Sequence, residues 1–226
     1  MKFFNQTIII LRKDILTEYR TKEILTSMLL FGLLVILIFH FAIDPDSEEI
    51  QRFGPGLLWI TFIFAGLLGI NRAFVREQEN DALEGLMLSP VSWSSIYLGK
   101  MLANLLFMLF AEGIILFLFS LFFDYAIWSR IGWMAMITFL GTLGFTSVGT
   151  LLAAVAMHTR MFEVMLPILL LPLILPVVLV VVQATTANFA NPPEVDPMMV
   201  WIKVLIAYDV IFVTLPLMTF DYVLEK

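Results

Sequence analysis

The chain has no cysteine among its 226 residues. That absence removes disulfides, thiolate metal sites and cysteine nucleophiles together, and leaves no reading of redox compartment. Imidazoles are almost as scarce, His40 and His158 being the only two. Paired histidines with an acid and a Gly-x-Ser-x-Gly elbow are both missing, which argues against an intramembrane enzyme and leaves no catalytic residue or metal ligand set to nominate. Charge is sparse: 14% of residues are charged, where soluble domains run near a quarter. No basic tract with interleaved aromatics points to nucleic acid, and the net charge of -6 is too unevenly spread to say more. A phosphate-cradling loop is also absent. Gly99-Lys100 is the only Gly-Lys pair, and Ser94 stands where a Walker A loop needs its upstream glycine. The chain does not hydrolyse ATP alone.

What is present is apolar length. Hydrophobic residues make up 61% of the chain, and its mean hydropathy is +0.97. In hydrocarbon each backbone N–H and C=O must be satisfied within its own segment, so long apolar runs become helices. The runs are about twenty residues, whereas barrel strands would be about half that and alternating. The reading is an all-α integral membrane protein with about six transmembrane helices, at about 24–43, 56–75, 97–123, 132–157, 163–182 and 200–220. The whole of 1–226 reads as one domain, with no repeat and no loop long enough for a soluble module.

Residues 1–23 are polar and mixed, so no cleavable signal is expected there. Phe4, Ile8, Leu11, Ile15 and Tyr19 recur at spacings of three and four, with Lys2, Arg12, Lys13, Arg20 and Lys22 mostly elsewhere. That pattern describes an amphipathic helix lying in the headgroup region of a bilayer; a straight extension of the first span fits the same residues.

Orientation follows from lysine and arginine in alternate segments. One side carries Lys2, Arg12, Lys13, Arg20, Lys22, Arg72, Arg76, Lys100, Arg160 and Lys226, and the other Arg52, Arg130 and Lys203. Both termini are therefore expected in the cytoplasm. The 44–53 and 183–199 loops then face outward, with Trp128, Trp133 and Trp201 suited to an interfacial belt.

The richest cytoplasmic stretch is 71–95. After the polar run from Glu77 to Asp81, Leu83, Leu86 and Met87 share one helical face, and Pro90 is the stop. A short helix of this kind could dock in a partner's groove; a solvated loop fits equally. Glu112 and Asp209 lie in mid-span, where an ionisable side chain costs roughly 2.5–3.5 kcal/mol on insertion scales. They either line a cavity or polar contact that changes between states, or sit hydrogen-bonded between helices. Pro167, Pro172 and Pro176 remove three N–H groups from the fifth span, as a pivot or as a static kink.

Several of these positions, taken in order, carry a resemblance. Pro55-Gly56 with Trp59, then Arg72 and Phe74, then Leu83-Glu84, Leu86 and Leu88 with Pro90, and finally Leu171-Pro172-Leu173 followed by Pro176, resemble the B-type haem-exporter membrane proteins of the bacterial cytochrome c maturation system. That family is related to the type-2 ABC exporter permeases. Asn71 and Asp81 depart from it, standing where glutamate and glycine are common.

The resemblance implies a permease of the bacterial cytoplasmic (inner) membrane that recruits a separate ABC ATPase subunit, so that ATP is bound by the partner. Arg72, Glu77, Leu83, Glu84, Leu86, Met87 and Pro90 would form the docking (coupling) helix. It further implies a haem-handling membrane subunit and a small membrane subunit as partners, with haem as a transported or handled ligand and no cofactor bound by this chain. Two roles stay open: supporting haem delivery to the periplasm, or ATP-driven release of a haem-loaded chaperone. The residues themselves also admit a permease for a lipid, polysaccharide or drug, or a non-transporting assembly scaffold. Axial haem ligands are usually His, Cys, Met or Tyr, and His40 in Phe39-His40-Phe41 needs no role beyond that of an interfacial polar group.

Overall fold

The computed structural model describes residues 2–43, 48–79, 91–123, 125, 127–157, 161–190 and 192–224. Seven α-helices run through them: α1 (Lys2–Thr21), α2 (Glu23–Ala42), α3 (Glu48–Glu79), α4 (Trp93–Phe123), α5 (Ile131–Ala156), α6 (Phe162–Phe189) and α7 (Val195–Leu224). A 3₁₀ turn, Ile127–Arg130, leads into α5, and no strand occurs among the described residues. Helices α2 to α7 each contain a stretch long and apolar enough to cross a bilayer. The chain is a multi-pass all-α membrane protein.

Burial within the bundle follows sequence spacing. On α2 only Ile24, Met28, Gly32 and Ile36 are buried, a strict four-residue row that keeps one narrow face inward. Leu25, Leu29, Phe31 and Phe39 flank this row and are partly buried against the core, while Leu30, Leu34 and Ile38 are exposed and meet lipid when the helix spans a bilayer. Helices α3 and α5 are mostly enclosed, while α2 and α7 lie at the periphery. The last three helices pack mutually, α2 packs on α3 and α4, and α3 and α4 join these groups through α5, α6 and α7.

The N-terminal helix is not a straight continuation of the first span. Lys22 adopts a left-handed backbone with φ 58°, and α1 turns back to lie along α4. The apolar positions Phe4, Ile8, Ile15 and Tyr19 stay exposed, whereas Thr7, Ile10 and Glu18 face the bundle. An apolar outer stripe beside a membrane-spanning bundle is the arrangement an interfacial helix needs.

Four elements run further than the apolar runs indicate, among them α7, which begins at Val195, five residues before the expected span. Residues 48–53 belong to α3, and the helix passes through Pro55 without a break. Pro55 lies about two turns inside α3, where it removes one backbone N–H from the helix ladder, and the Tyr125 hydroxyl donates to the Ile50 carbonyl at 2.7 Å. Helix α6 extends to Phe189, through the polar residues after 182. Its last carbonyls are met by Arg130, whose Nη1 donates to Asn188 O and Ala190 O, each at 2.6 Å. A cation at a helix C-terminus also offsets the negative end of the helix dipole. Helix α4 begins at Trp93, four residues before the expected span.

Candidate functional site

Leu83, Glu84, Leu86, Met87 and Pro90 lie outside the described residues. The structure does describe the two helices that flank them. On one side lies the last turn of α3 and on the other the start of α4, and both helices are tied to α1 by charge. Lys13 on α1 lies 2.9 Å from Glu77 Oε1 and 3.1 Å from its neighbour Asp14. Lys100, one helical turn and more into α4, lies 3.0 Å from Asp14 Oδ2 and also pairs with Glu77 Oε1. Glu77 thus joins α3 to two other helices through one carboxylate oxygen.

That placement corrects one expectation. The resemblance puts Glu77 on a surface where a partner docks, but it is buried at 7% exposure and faces inward. The polar run after Val75 looks solvated in sequence because its partners, Lys13 and Lys100, are 64 and 23 residues away. Arg72, by contrast, is exposed. Burial works to lower the Lys13 ammonium's pKa, yet the Glu77 and Asp14 carboxylates outweigh it and hold Lys13 above its usual 10.5. Taking charges out of water is costly, and only close, multiply bonded partners offset it. Lys100, with two carboxylates against it, meets that condition.

A second link tightens the corner between α1 and α2. Glu18 Oε1 accepts from the Leu25 backbone N–H at 2.9 Å, satisfying a free donor in the first turn of α2 as a capping carboxylate does. Arg76 reaches the same corner, donating to Thr21 Oγ1 at 2.8 Å and lying 4.0 Å from Glu18 Oε2. Beneath these charges a cleft of about 310 Å³ opens between α1, α3 and α4, with Ile24, Ala103 and Phe107 on its apolar side.

Within the spans the two acids are both buried but not brought together. The Thr142 hydroxyl lies 2.7 Å from Glu112 Oε2 and from Thr138 O. Asp209 on α7 instead faces Gly144, where an added methyl would sit 2.7 Å from Oδ1. Residues 142 and 144 are about 200° apart around a helix, so α5 stands between Glu112 and Asp209. The signal that reasoning from sequence missed is on α5. Thr138, Thr142, Thr146 and Thr150 form a buried row at four-residue spacing, and Asn104 donates to Thr150 at 3.1 Å. Nearby, Tyr97 and Ser147 hydroxyls lie 3.0 Å apart. Such hydrogen bonds hold spans together where lipid supplies no hydrophobic drive.

Pro167, Pro172 and Pro176 all lie inside the continuous helix α6. The Tyr208 hydroxyl donates to Leu173 O at 3.1 Å, tying α7 to this stretch. Trp59 donates its indole N–H to Thr185 Oγ1 at 2.8 Å, and Phe74 packs on Phe162 with ring centres 6.4 Å apart. These two aromatics join α3 to α6. His40 is packed against the rings of Phe122 and Phe123, at 5.0 and 6.0 Å. Among the described residues no group of three or more His, Asp or Glu could hold a metal ion.

Comparison with known proteins assigns this architecture. The "Heme exporter protein B" of Escherichia coli (strain K12) is 30% identical over 95 residues, 42% of this chain and 43% of that protein. That of Pseudomonas aeruginosa is 31% identical over 99 residues, 44% of each. The chain thus spans less than half the length of these relatives. The "Heme exporter protein B" of Haemophilus influenzae aligns further, 28% identical over 162 residues, 70% of this chain and 71% of that protein. The profile of the family described as "CcmB protein" matches residues 5–224, from the first turn of α1 to the end of α7. A bundle of six spanning helices with an interfacial helix clamped beside them, matched end to end, belongs to the CcmB protein family.

Proposed function

We propose that this chain is the membrane permease subunit of an ATP-driven ABC export complex in cytochrome c biogenesis. The observation that carries the reading is the family match over residues 5–224, joined to relatives whose name is haem exporter. The chain works in the bacterial inner membrane with both termini in the cytoplasm, as its lysine and arginine distribution favours. It supports haem delivery to the periplasm, or it transmits ATP-driven movement that releases a haem-loaded chaperone. ATP is hydrolysed by a separate ATP-binding-cassette subunit; a haem-handling membrane subunit and a small membrane subunit complete the assembly.

In this reading residues 83–90 are the lever on which the ATPase acts. Glu77 and Lys100 stand on the two helices that bracket this lever, and both are bonded to α1. A push on the lever is therefore delivered to α3, α4 and α1 together rather than absorbed by a loose loop. The test is co-purification. Glu84→Lys combined with Leu83→Asp should abolish recovery of the ATPase while leaving membrane insertion intact. Undiminished recovery discards the docking assignment. Purification with the genomic neighbours, followed by absorption spectra with and without ATP, tests the haem assignment; an assembly that never carries haem overturns it.

A further inference from the structure

The first helix separates its charges by sign. Its two acids turn inward: Asp14 pairs with Lys100, and Glu18 accepts from the Leu25 N–H and lies near Arg76. The cation Lys13 is held by Glu77, whereas Arg12 and Arg20, with Lys22 just beyond, are exposed. Among the described residues none of these three exposed side chains has a hydrogen-bond or ion-pair partner. Arg12 is the unusual one. At about 100° per residue round a helix, the exposed Phe4, Ile15, Ile8, Tyr19, Leu16 and Ile9 fill an arc of about 140° counted from Phe4. Arg12 stands at about 80°, near the middle of that arc, and Arg20 at its edge. Ile10, which packs on Gly99 of α4, is about 160° away from Arg12 on the far side. An interfacial helix ordinarily keeps its arginines on the polar face, and a guanidinium amid apolar surface holds its charge only against water or an anion.

We propose that Arg12 is the centre of a binding site for an anionic phospholipid of the cytoplasmic leaflet. The planar guanidinium takes two phosphate oxygens at once, and its flexible stem reaches past apolar neighbours to do so. Ile8 and Leu16, one turn to either side and both exposed, cover glycerol and acyl carbons. The lipid is anionic rather than zwitterionic because this face offers nothing to a headgroup ammonium. Both acids of α1 are engaged inside the fold, and the next exposed acid along the chain, Glu23, opens α2 beyond the Lys22 bend. Arg20 and Lys22 add positive potential, which favours a headgroup of net negative charge. A lipid and not a protein segment is the occupant because α1 lies along α4, which carries a spanning stretch, so its outer face opens onto the bilayer. The inference rests on α1 lying at the cytoplasmic membrane surface and not on the ATPase or haem assignments.

The experiment is native mass spectrometry of the full chain in detergent, titrated with phosphatidylglycerol, phosphatidylcholine, phosphatidylethanolamine or soluble glycerol phosphate. Phosphatidylglycerol should bind about fivefold tighter than either zwitterionic lipid, the worth of about one cation at a membrane surface. Arg12→Gln should remove that preference. Arg52→Gln, which takes away an exposed arginine of α3, should leave it unchanged and so separates a site from a general loss of positive charge. A photoreactive side chain in place of Ile8, in membranes holding the intact assembly, should crosslink to phospholipid. Equal binding of the anionic and zwitterionic lipids, or a preference that survives Arg12→Gln or falls as far with Arg52→Gln, would overturn the proposal. So would glycerol phosphate that displaces the lipid, or a crosslink from position 8 that captures protein in place of lipid.

Discussion

Replacing Lys100 with methionine probes the clamp most directly. Its side chain is only 6% exposed and lies against both Asp14 and Glu77. Methionine keeps the length and apolar bulk of the stem while removing the ammonium. Two carboxylates are then left facing each other with Lys13 alone between them, and Lys13 is 41% exposed, so water and salt weaken what it returns. Taking one partner out of a buried ion pair costs about 3–5 kcal/mol. Because Lys13 remains, the lower end applies, about 3 kcal/mol. For a chain of this size that converts to a fall of roughly 6–12 °C in thermal midpoint. Tryptophan fluorescence during heating of the detergent-solubilised chain reads it, Trp59 being buried in the core. The double variant Lys100→Met with Glu77→Gln should be more stable than the sum of the two losses by at least about 1 kcal/mol, since neither charge is left stranded. A midpoint within about 2 °C of the parent for Lys100→Met, or strict additivity in the double variant, would refute the clamp.

Two further outcomes follow from packing. At Gly141 a methyl group would lie 2.6 Å from Trp59 Cη2 and 2.7 Å from Val181 Cγ1. Trp59 is tethered to Thr185 and cannot move aside freely, so Gly141→Ala should destabilise by about 1–3 kcal/mol. An unchanged thermal midpoint would show that α3, α5 and α6 pack less closely than these distances require. His40→Ala should leave haem content of the purified assembly unchanged, because the ring is packed among Phe41, Phe122 and Phe123; loss of the haem absorption band would make His40 a ligand after all.

The sequence by itself determined the class of molecule. Runs of about twenty apolar residues admit only helices in hydrocarbon, and the spacing of Phe4, Ile8, Leu11, Ile15 and Tyr19 suggested an amphipathic α1, of which Leu11 packs on the core while the other four are exposed. The resemblance carried by residues such as Trp59 and Phe74 was legible too, and the family match extends it over 5–224. Periodicity reports only which face of a helix is apolar. It is blind to partners far apart in the chain, and so the destinations of the charges were decided by tertiary structure. Glu77 reads as solvent-facing until Lys13 and Lys100 are folded onto it. Arg130 counts as a stray outward cation until α6 ends against it. Glu112 and Asp209 read alike in sequence, each a mid-span acid, yet they lie on either side of α5, its Thr142 serving one and its Gly144 making room for the other. For Glu77, Arg130 and Glu112 a partner from another helix meets the polar group, whereas Asp209 is given only space, and only the packing of the bundle says which.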